Sequence, residues 1–167
     1  MTASFGVRVA KASPAFSDWE GLHALLRAAY ASMEGRIDPP SSLLRMDARD
    51  LQTKASEEIL ILALDGERLV GCAFARLRDD CVYVGKVAVD ASLRRRGVAR
   101  RLLAEADAIA RAHARPFVEI ETRVELTENQ ATFAALGFAK VGESAHAGFD
   151  RPTSVTMRKA VAHAPRP

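Results

Sequence analysis

The stretch Val82-Tyr-Val-Gly-Lys-Val-Ala-Val-Asp-Ala-Ser-Leu-Arg-Arg-Arg-Gly-Val-Ala-Arg-Arg-Leu-Leu103 decides the reading of this chain. An apolar run from Val82 to Val89 reads as a strand, and a short loop after it carries Arg94, Arg95 and Arg96. Gly97 and Ala99 then open a helix with Val98, Leu102, Ala106 and Ile109 on one face. Main-chain N–H groups at a helix start lack partners and sit at the positive end of the dipole, so they attract phosphate. Gly97 lets the backbone come close to an anion, and the arginines add charge-assisted hydrogen bonds. A solvated basic loop ahead of a surface helix is the competing reading. The position between an apolar strand and an amphipathic helix favours phosphate binding.

Upstream, Val7 to Ala10 reads as a short strand. Ser17-Asp18-Trp19-Glu20 reads as a capping box for a helix with Trp19, Leu22, Leu26, Ala29 and Met33 at helical spacing. Glu34 to Ser42 breaks regular structure, and a weaker helix is expected from Asp47 to Ala55. Ile59 to Leu64 and Leu69 to Leu77 flank Asp65-Gly66, a hairpin turn signal, and Val82 to Val89 continues the meander. Downstream, the long helix runs to about Ala114, where Arg115-Pro116 ends it. Phe117 to Thr122 is a strand in which Val118 and Ile120 alternate with Glu119 and Glu121. Thr127-Glu-Asn-Gln130 reads as a second capping box, and Leu136-Gly137-Phe138 closes that short helix. Ala139 to Glu143 and Thr153 to Lys159 are the last strands, and the tail from Ala162 is expected to fray.

The 167 residues suit one domain, spanning 1–167 with a core from about 7 to 159. A hydrophobic fraction of 49% with 27% charged residues is ordinary for a soluble globular protein. The net charge of +3 does not imply nucleic acid, and much of the excess sits at Arg94, Arg95, Arg96, Arg100 and Arg101, which suits a local polyanion. No apolar run reaches membrane-spanning length and no signal-peptide layout opens the chain, so a cytoplasmic protein without membrane partners is the default expectation. Cys72 and Cys81 fall on two strands of one hairpin, too far apart for a disulfide, and neither has metal-site spacing. No metal is expected.

Arg94-Arg95-Arg96-Gly97-Val98-Ala99 resembles the Arg/Gln-x-x-Gly-x-Gly/Ala signature of the GNAT acetyltransferase superfamily. Asn129-Gln-Ala-Thr-Phe133-Ala-Ala-Leu-Gly137-Phe138 is similar to that family's Asn-x-x-x-Tyr-x-x-Leu-Gly-Phe segment. The element order β-α-α-β-β-β-α-β-α-β-β agrees with both. The resemblance implies a single α/β (α+β) domain. Its sheet would be mixed and mostly antiparallel, with a splayed parallel strand pair and flanking helices. It also implies acetyl-CoA as co-substrate, its pyrophosphate held at Arg94, Arg95, Arg96, Gly97, Val98, Ala99 and Arg100. The pantetheine arm would lie between strand Val82–Val89 and strand Phe117–Thr122, bonded to main chain near Val87, Ala88 and Val89.

The implied activity is transfer of an acetyl group from the CoA thioester to a primary amine by direct attack. Such a step needs a held cofactor, a neutral amine, a donor for the developing oxyanion and a proton for the leaving thiolate. The resemblance makes the Val89 N–H the oxyanion donor. Many relatives place a tyrosine near the CoA sulfur at the position matched by Phe133. Phenylalanine cannot donate a proton, so here it can only pack beside the pantetheine arm. For the base the sequence offers Tyr83, where some family members carry a glutamate, and Glu119 or Glu121 on one face of the neighbouring strand. A packed aromatic and an ion-paired strand face are the competing readings of these residues. Asn129 either bonds the cofactor or helps to cap its helix.

In this family the region between the first two helices walls the acceptor pocket, and here it holds Tyr30, Met33, Glu34, Arg36, Asp38, Pro39 and Pro40. Glu34 and Asp38 are suited to a cationic amine and Arg36 to a carboxylate, while His146 and Asp150 sit in the last long loop. The expected acceptor is a small-molecule or peptide amine, and the expected assembly a monomer or homodimer. One rival function is a catalytically weak CoA-binding sensor or scaffold on the same fold, supported by Phe133. Another makes the arginines a nucleic-acid contact, but no aromatic platform accompanies them, so nucleic acid is not an expected partner.

Overall fold

Seven aliphatic-rich segments pair into one twisted sheet. In the computed structural model, which describes residues 6–162, they are β1 (Val7–Lys11), β2 (Ile59–Asp65), β3 (Arg68–Leu77), β4 (Cys81–Val89), β5 (Phe117–Arg123), β6 (Ala139–Ser144) and β7 (Ser154–Ala160). Their spatial order is β1-β2-β3-β4-β5-β7-β6, antiparallel throughout except for the parallel pair β4–β5. The helices are α1 (Trp19–Tyr30), α2 (Ala48–Glu57), α3 (Val98–Ala112) and α4 (Thr127–Ala135). The element order is the expected one. The expectation for the tail concerns residues that, beyond Ala162, lie outside the described ones.

The two faces of the sheet build two cores. On one, Val98, Leu102, Ala106 and Ile109 of α3 pack on Ile61, Ala73, Val82, Val84, Val118 and Ile120. On the other, Leu22, Leu25 and Leu26 of α1 and Leu51 of α2 pack on Leu60, Leu62, Cys72 and Phe74. Each fully buried aliphatic side chain contributes about 1.5–3 kcal/mol, which outweighs weak local propensity in a helix as short as α2. Among the described residues no helix is long and apolar enough to cross a membrane. Both cysteines are buried and free: Cys72 lies opposite Ala88 across β3–β4, whereas Cys81 starts β4 beside Phe117.

Two expected caps differ. Asp18, not Ser17, caps α1, its Oδ1 accepting from the Gly21 N–H at 3.0 Å, so Glu20 closes no box. The capping box lies instead at α2, where Asp47 and Asp50 exchange side-chain-to-backbone bonds of 2.9 and 2.8 Å. At α4, Thr127 is already helical and Leu126 precedes it without a side-chain cap. The Gln130 amide turns back to the carbonyls of Arg123 and Val124, tying α4 to the end of β5. The glycine stop is as expected: Gly137 has φ +98°, and its N–H and that of Phe138 bond the carbonyls of Ala134 and Phe133.

An irregularity in β4 positions everything that follows. Cys72 opposes Ala88 and Phe74 opposes Gly85, so β4 carries one residue more than β3 between these pairs. The bulge holds Lys86 at φ +51° and shifts the strand's alternation. Val82 and Val84 face α3 before it, Val87 and Val89 after it, and Ala88 joins the α1 face.

Candidate active site

β4 and β5 keep parallel register only from Cys81–Phe117 to Val84–Ile120. Beyond that point β4 runs on to Val89 and β5 to Arg123 without pairing. The gap opens into a cleft of about 410 Å³. Tyr83, Gly85, Lys86 and Val87 line it from β4, and Glu121, Thr122 and Arg123 from β5. Tyr30, Met33, Ser42 and Lys54 close it on the α1–α2 side, with Asn129 and Phe133 of α4 also in its wall. Asp90 N–H donates to the Val70 carbonyl at 2.8 Å. Antiparallel alternation therefore turns the Val89 N–H away from β3, toward the side that β5 has left.

The far end of β4 leads to the start of α3. Gly97, at φ +78°, is its N-cap and offers no side-chain bond. The first helical bond runs from Arg101 N–H to the Gly97 carbonyl, so the N–H groups of Val98, Ala99 and Arg100 have no partner in the helix. A Cβ on Gly97 would meet nothing within 4 Å, so the space beside this residue at the helix start is open. Arg94, Arg95, Arg96 and Arg100 are exposed and make no ion pair among the described residues. Unpaired cations around uncapped N–H groups fit a pyrophosphate.

The expected catalytic residues separate. Glu119 is 7% exposed and held by Arg158, whose Nε donates to its Oε2 at 3.0 Å, with Arg78 Nη1 at 3.6 Å. It is not among the cleft-lining residues, and its carboxylate is engaged in these ion pairs, the competing reading of this residue. Glu121, two residues on, is exposed and lines the cleft. Tyr83 also lines it, but burial, with Glu121 adding to it, pushes its phenol up to about 12. That direction disfavours the phenolate that a base at this position would need.

Of the residues expected to receive the acceptor, Tyr30, Met33 and His146 line the cleft. His146 Nδ1 lies 2.5 Å from Thr153 Oγ1, and burial with Arg123 nearby keeps the ring below the usual histidine range. Arg36 is taken up by Glu128 at 2.6 Å and Asp38 by Arg151 at 3.4 Å. Glu34 borders a separate hollow beside α1. Arg36 and Asp38 thus tie the loop to α4 and to the segment before β7. Ala88 and Val89 lie beyond the cleft wall proper, and Val89 borders a further hollow with Arg94.

Lys86 and Arg123 were not singled out by the sequence reading. Their signal was there: a lone lysine inside the apolar run Val82–Val89, and an arginine continuing the alternation of Glu119 and Glu121. Lys86 Nζ donates to Ser42 Oγ at 2.8 Å and stands over the Tyr30 ring. Burial first, then Lys54 and Arg123, lowers it to about 8.

Residues 19–138 match the acetyltransferase (GNAT) family. The chain belongs to that family. No curated protein matches it in sequence. Several solved structures share the GNAT fold at low identity. An aminoglycoside 6'-N-acetyltransferase complexed with coenzyme A superposes with a TM-score of 0.72 at 17% identity, over 96% of this chain and 99% of that one. The ribosomal-protein-S18-alanine N-acetyltransferase from Escherichia coli gives 0.69 at 14% identity, over 96% and 97%. A GNAT family acetyltransferase from Elizabethkingia anophelis with acetyl-CoA bound gives 0.66 at 14% identity, over 92% and 97%. Two of these GNAT neighbours thus carry CoA or acetyl-CoA.

Proposed function

We propose that this GNAT protein is an acetyl-CoA-dependent N-acetyltransferase that moves the acetyl group directly to a primary amine. The observation that carries the reading is the cleft opened where β5 leaves β4 after Val84–Ile120, together with the uncapped start of α3 beyond the far end of the same strand. The α3 N–H groups and Arg94, Arg95, Arg96 and Arg100 hold the pyrophosphate. The pantetheine arm follows Val87, Ala88 and Val89, with Asn129 and Phe133 on its other side. The Val89 N–H meets the developing oxyanion. The amine enters past Tyr30 and Met33 and gives its proton to Glu121, directly or through water. Its nitrogen bonds the carbonyl carbon as the C–S bond breaks, and the thiolate leaves and takes a proton from solvent.

Phe133 favours a second reading, a CoA-binding sensor on the same fold, because it removes a phenolic proton donor from the cleft. The test is incubation with acetyl-CoA and a panel of amines and peptides, with products identified by mass spectrometry. An acetylated amine supports the enzyme. Binding of acetyl-CoA without transfer to any amine supports the sensor.

A further inference from the structure

We infer that the acceptor carries a carboxylate as well as its amine, with Lys86 and Arg123 receiving the carboxylate while Glu121 faces the amine. The inference rests on the acetyl-transfer reading and names its substrate class. Of the cations in the cleft wall, Lys54 is neutralised by Glu58, whose Oε2 lies 2.6 Å from its Nζ. Lys86 has only the Ser42 hydroxyl and forms no ion pair among the described residues. Arg123 donates Nη2 to the Pro40 carbonyl at 3.3 Å, while its Nη1 is buried without a hydrogen-bond partner.

Two like charges in a partly buried cleft, one with an unsatisfied donor, cost free energy that an incoming anion would return. The cost is visible at Lys86, which burial and its cationic neighbours lower to about 8. The strand also carries the ammonium on a residue at φ +51°, a conformation unfavourable for any side chain with a Cβ. A carboxylate has two oxygens, one for the ammonium and one for the guanidinium edge. Glu121 and Arg123 alternate onto one face of β5, so their backbones are separated by roughly 7 Å. An acceptor spanning them places amine and carboxylate a few bonds apart, as in a small amino acid. A neutral amine would leave Lys86 without an ion-pair partner among the described residues and the Arg123 Nη1 without an acceptor.

The test is a steady-state comparison of α- and ω-amino acids with their carboxamides and methyl esters, using acetyl-CoA. The free acids are expected to be preferred in kcat/KM by about tenfold or more, the scale of a hydrogen bond to a charged group. In Lys86→Gln the acid-over-amide ratio is expected to collapse toward one, chiefly through KM for the acid, and in Lys86→Arg to be largely kept. The wild-type ratio needs no variant to fold. Amides and esters serving as well as acids in the wild type would overturn the carboxylate subsite and leave acetyl transfer standing. Bound acetyl-CoA with no transfer to any compound of the panel would overturn the acetyl-transfer reading itself.

Discussion

Arg158 reaches across from β7 to hold Glu119 on β5, its Nε donating to Oε2 at 3.0 Å and its Nη2 lying 2.9 Å from the same oxygen. The two residues are cross-strand partners in the antiparallel register, and Arg158 also donates to Asp80. Two residues further along β5, Glu121 has no such partner among the described residues and lines the cleft. The register of β7 and the end of β4–β5 pairing thus give two similar carboxylates different surroundings.

Exchange of each glutamate for glutamine tests what each contributes. Glu119→Gln leaves Arg158 with Asp80 alone, and urea denaturation is expected to show a loss of about 1–2 kcal/mol with turnover largely kept. Glu121→Gln keeps shape and removes basicity, so kcat is expected to fall about 100-fold or more while acetyl-CoA affinity holds. Equal kcat in the Glu121→Gln variant and the parent would assign the proton to Tyr83, a loop residue or ordered water.

Gly97 tests the pyrophosphate site. Its φ of +78° makes Gly97→Val strained, about 1–2 kcal/mol in stability, although the space around the Cβ is open. Gly97→Asn tolerates that backbone conformation better and still places a side chain over the helix N–H groups. Calorimetry is expected to show acetyl-CoA binding abolished in the first and weakened at least tenfold in the second. Unchanged affinity in the folded asparagine variant would remove the phosphate assignment.

Phe133 and Phe138 meet edge to face, ring centroids 6.0 Å apart, across the glycine stop that closes α4. Phe133→Leu is expected to cost about 1 kcal/mol in stability and some cofactor affinity. It should remove no titrating group from the pH–rate profile. Phe133→Tyr is expected to raise turnover at neutral pH by supplying a phenolic donor. Loss of a high-pH limb in the leucine variant would contradict the absence of an acid at this position.

Lys86 gives stability a signed pH dependence. Burial lowers it to about 8 in the folded chain against 10.5 in the free side chain. Between these values the unfolded chain binds more protons than the folded one, so stability rises with pH across that window and the penalty is complete below it. In urea titrations from neutral pH to about 10.5, the wild type is expected to gain on Lys86→Met by roughly 1–3 kcal/mol. A difference independent of pH would show that the ammonium is not buried in the folded state.

Local patterning determined which segments became strands and helices, because apolar period and turn residues act within a few positions along the chain. Gly66 and Leu136-Gly137-Phe138 each mark their turns without help from elsewhere, although Asp65 ends β2 opposite Arg68 and the turn itself is Gly66-Glu67. The helix start at Gly97 and the arginines before it were legible for the same reason, since main-chain donors at a helix terminus are fixed by the helix itself. The caps of α1 and α4 were not, because Ser17, Asp18, Thr127 and Gln130 all have side chains able to bond backbone, and the approach of the flanking chain selects among them. Nor was the difference in surroundings between Glu119 and Glu121. Their alternation is identical, and only the register of β7 brings Arg158 to one while the end of β4–β5 pairing opens the cleft beside the other. The bulge that turns Lys86 toward Ser42 likewise needs β3 as its partner strand. Charge and periodicity are properties of neighbours in sequence, whereas ion pairing and exposure belong to neighbours in space, and only the folded sheet determines those.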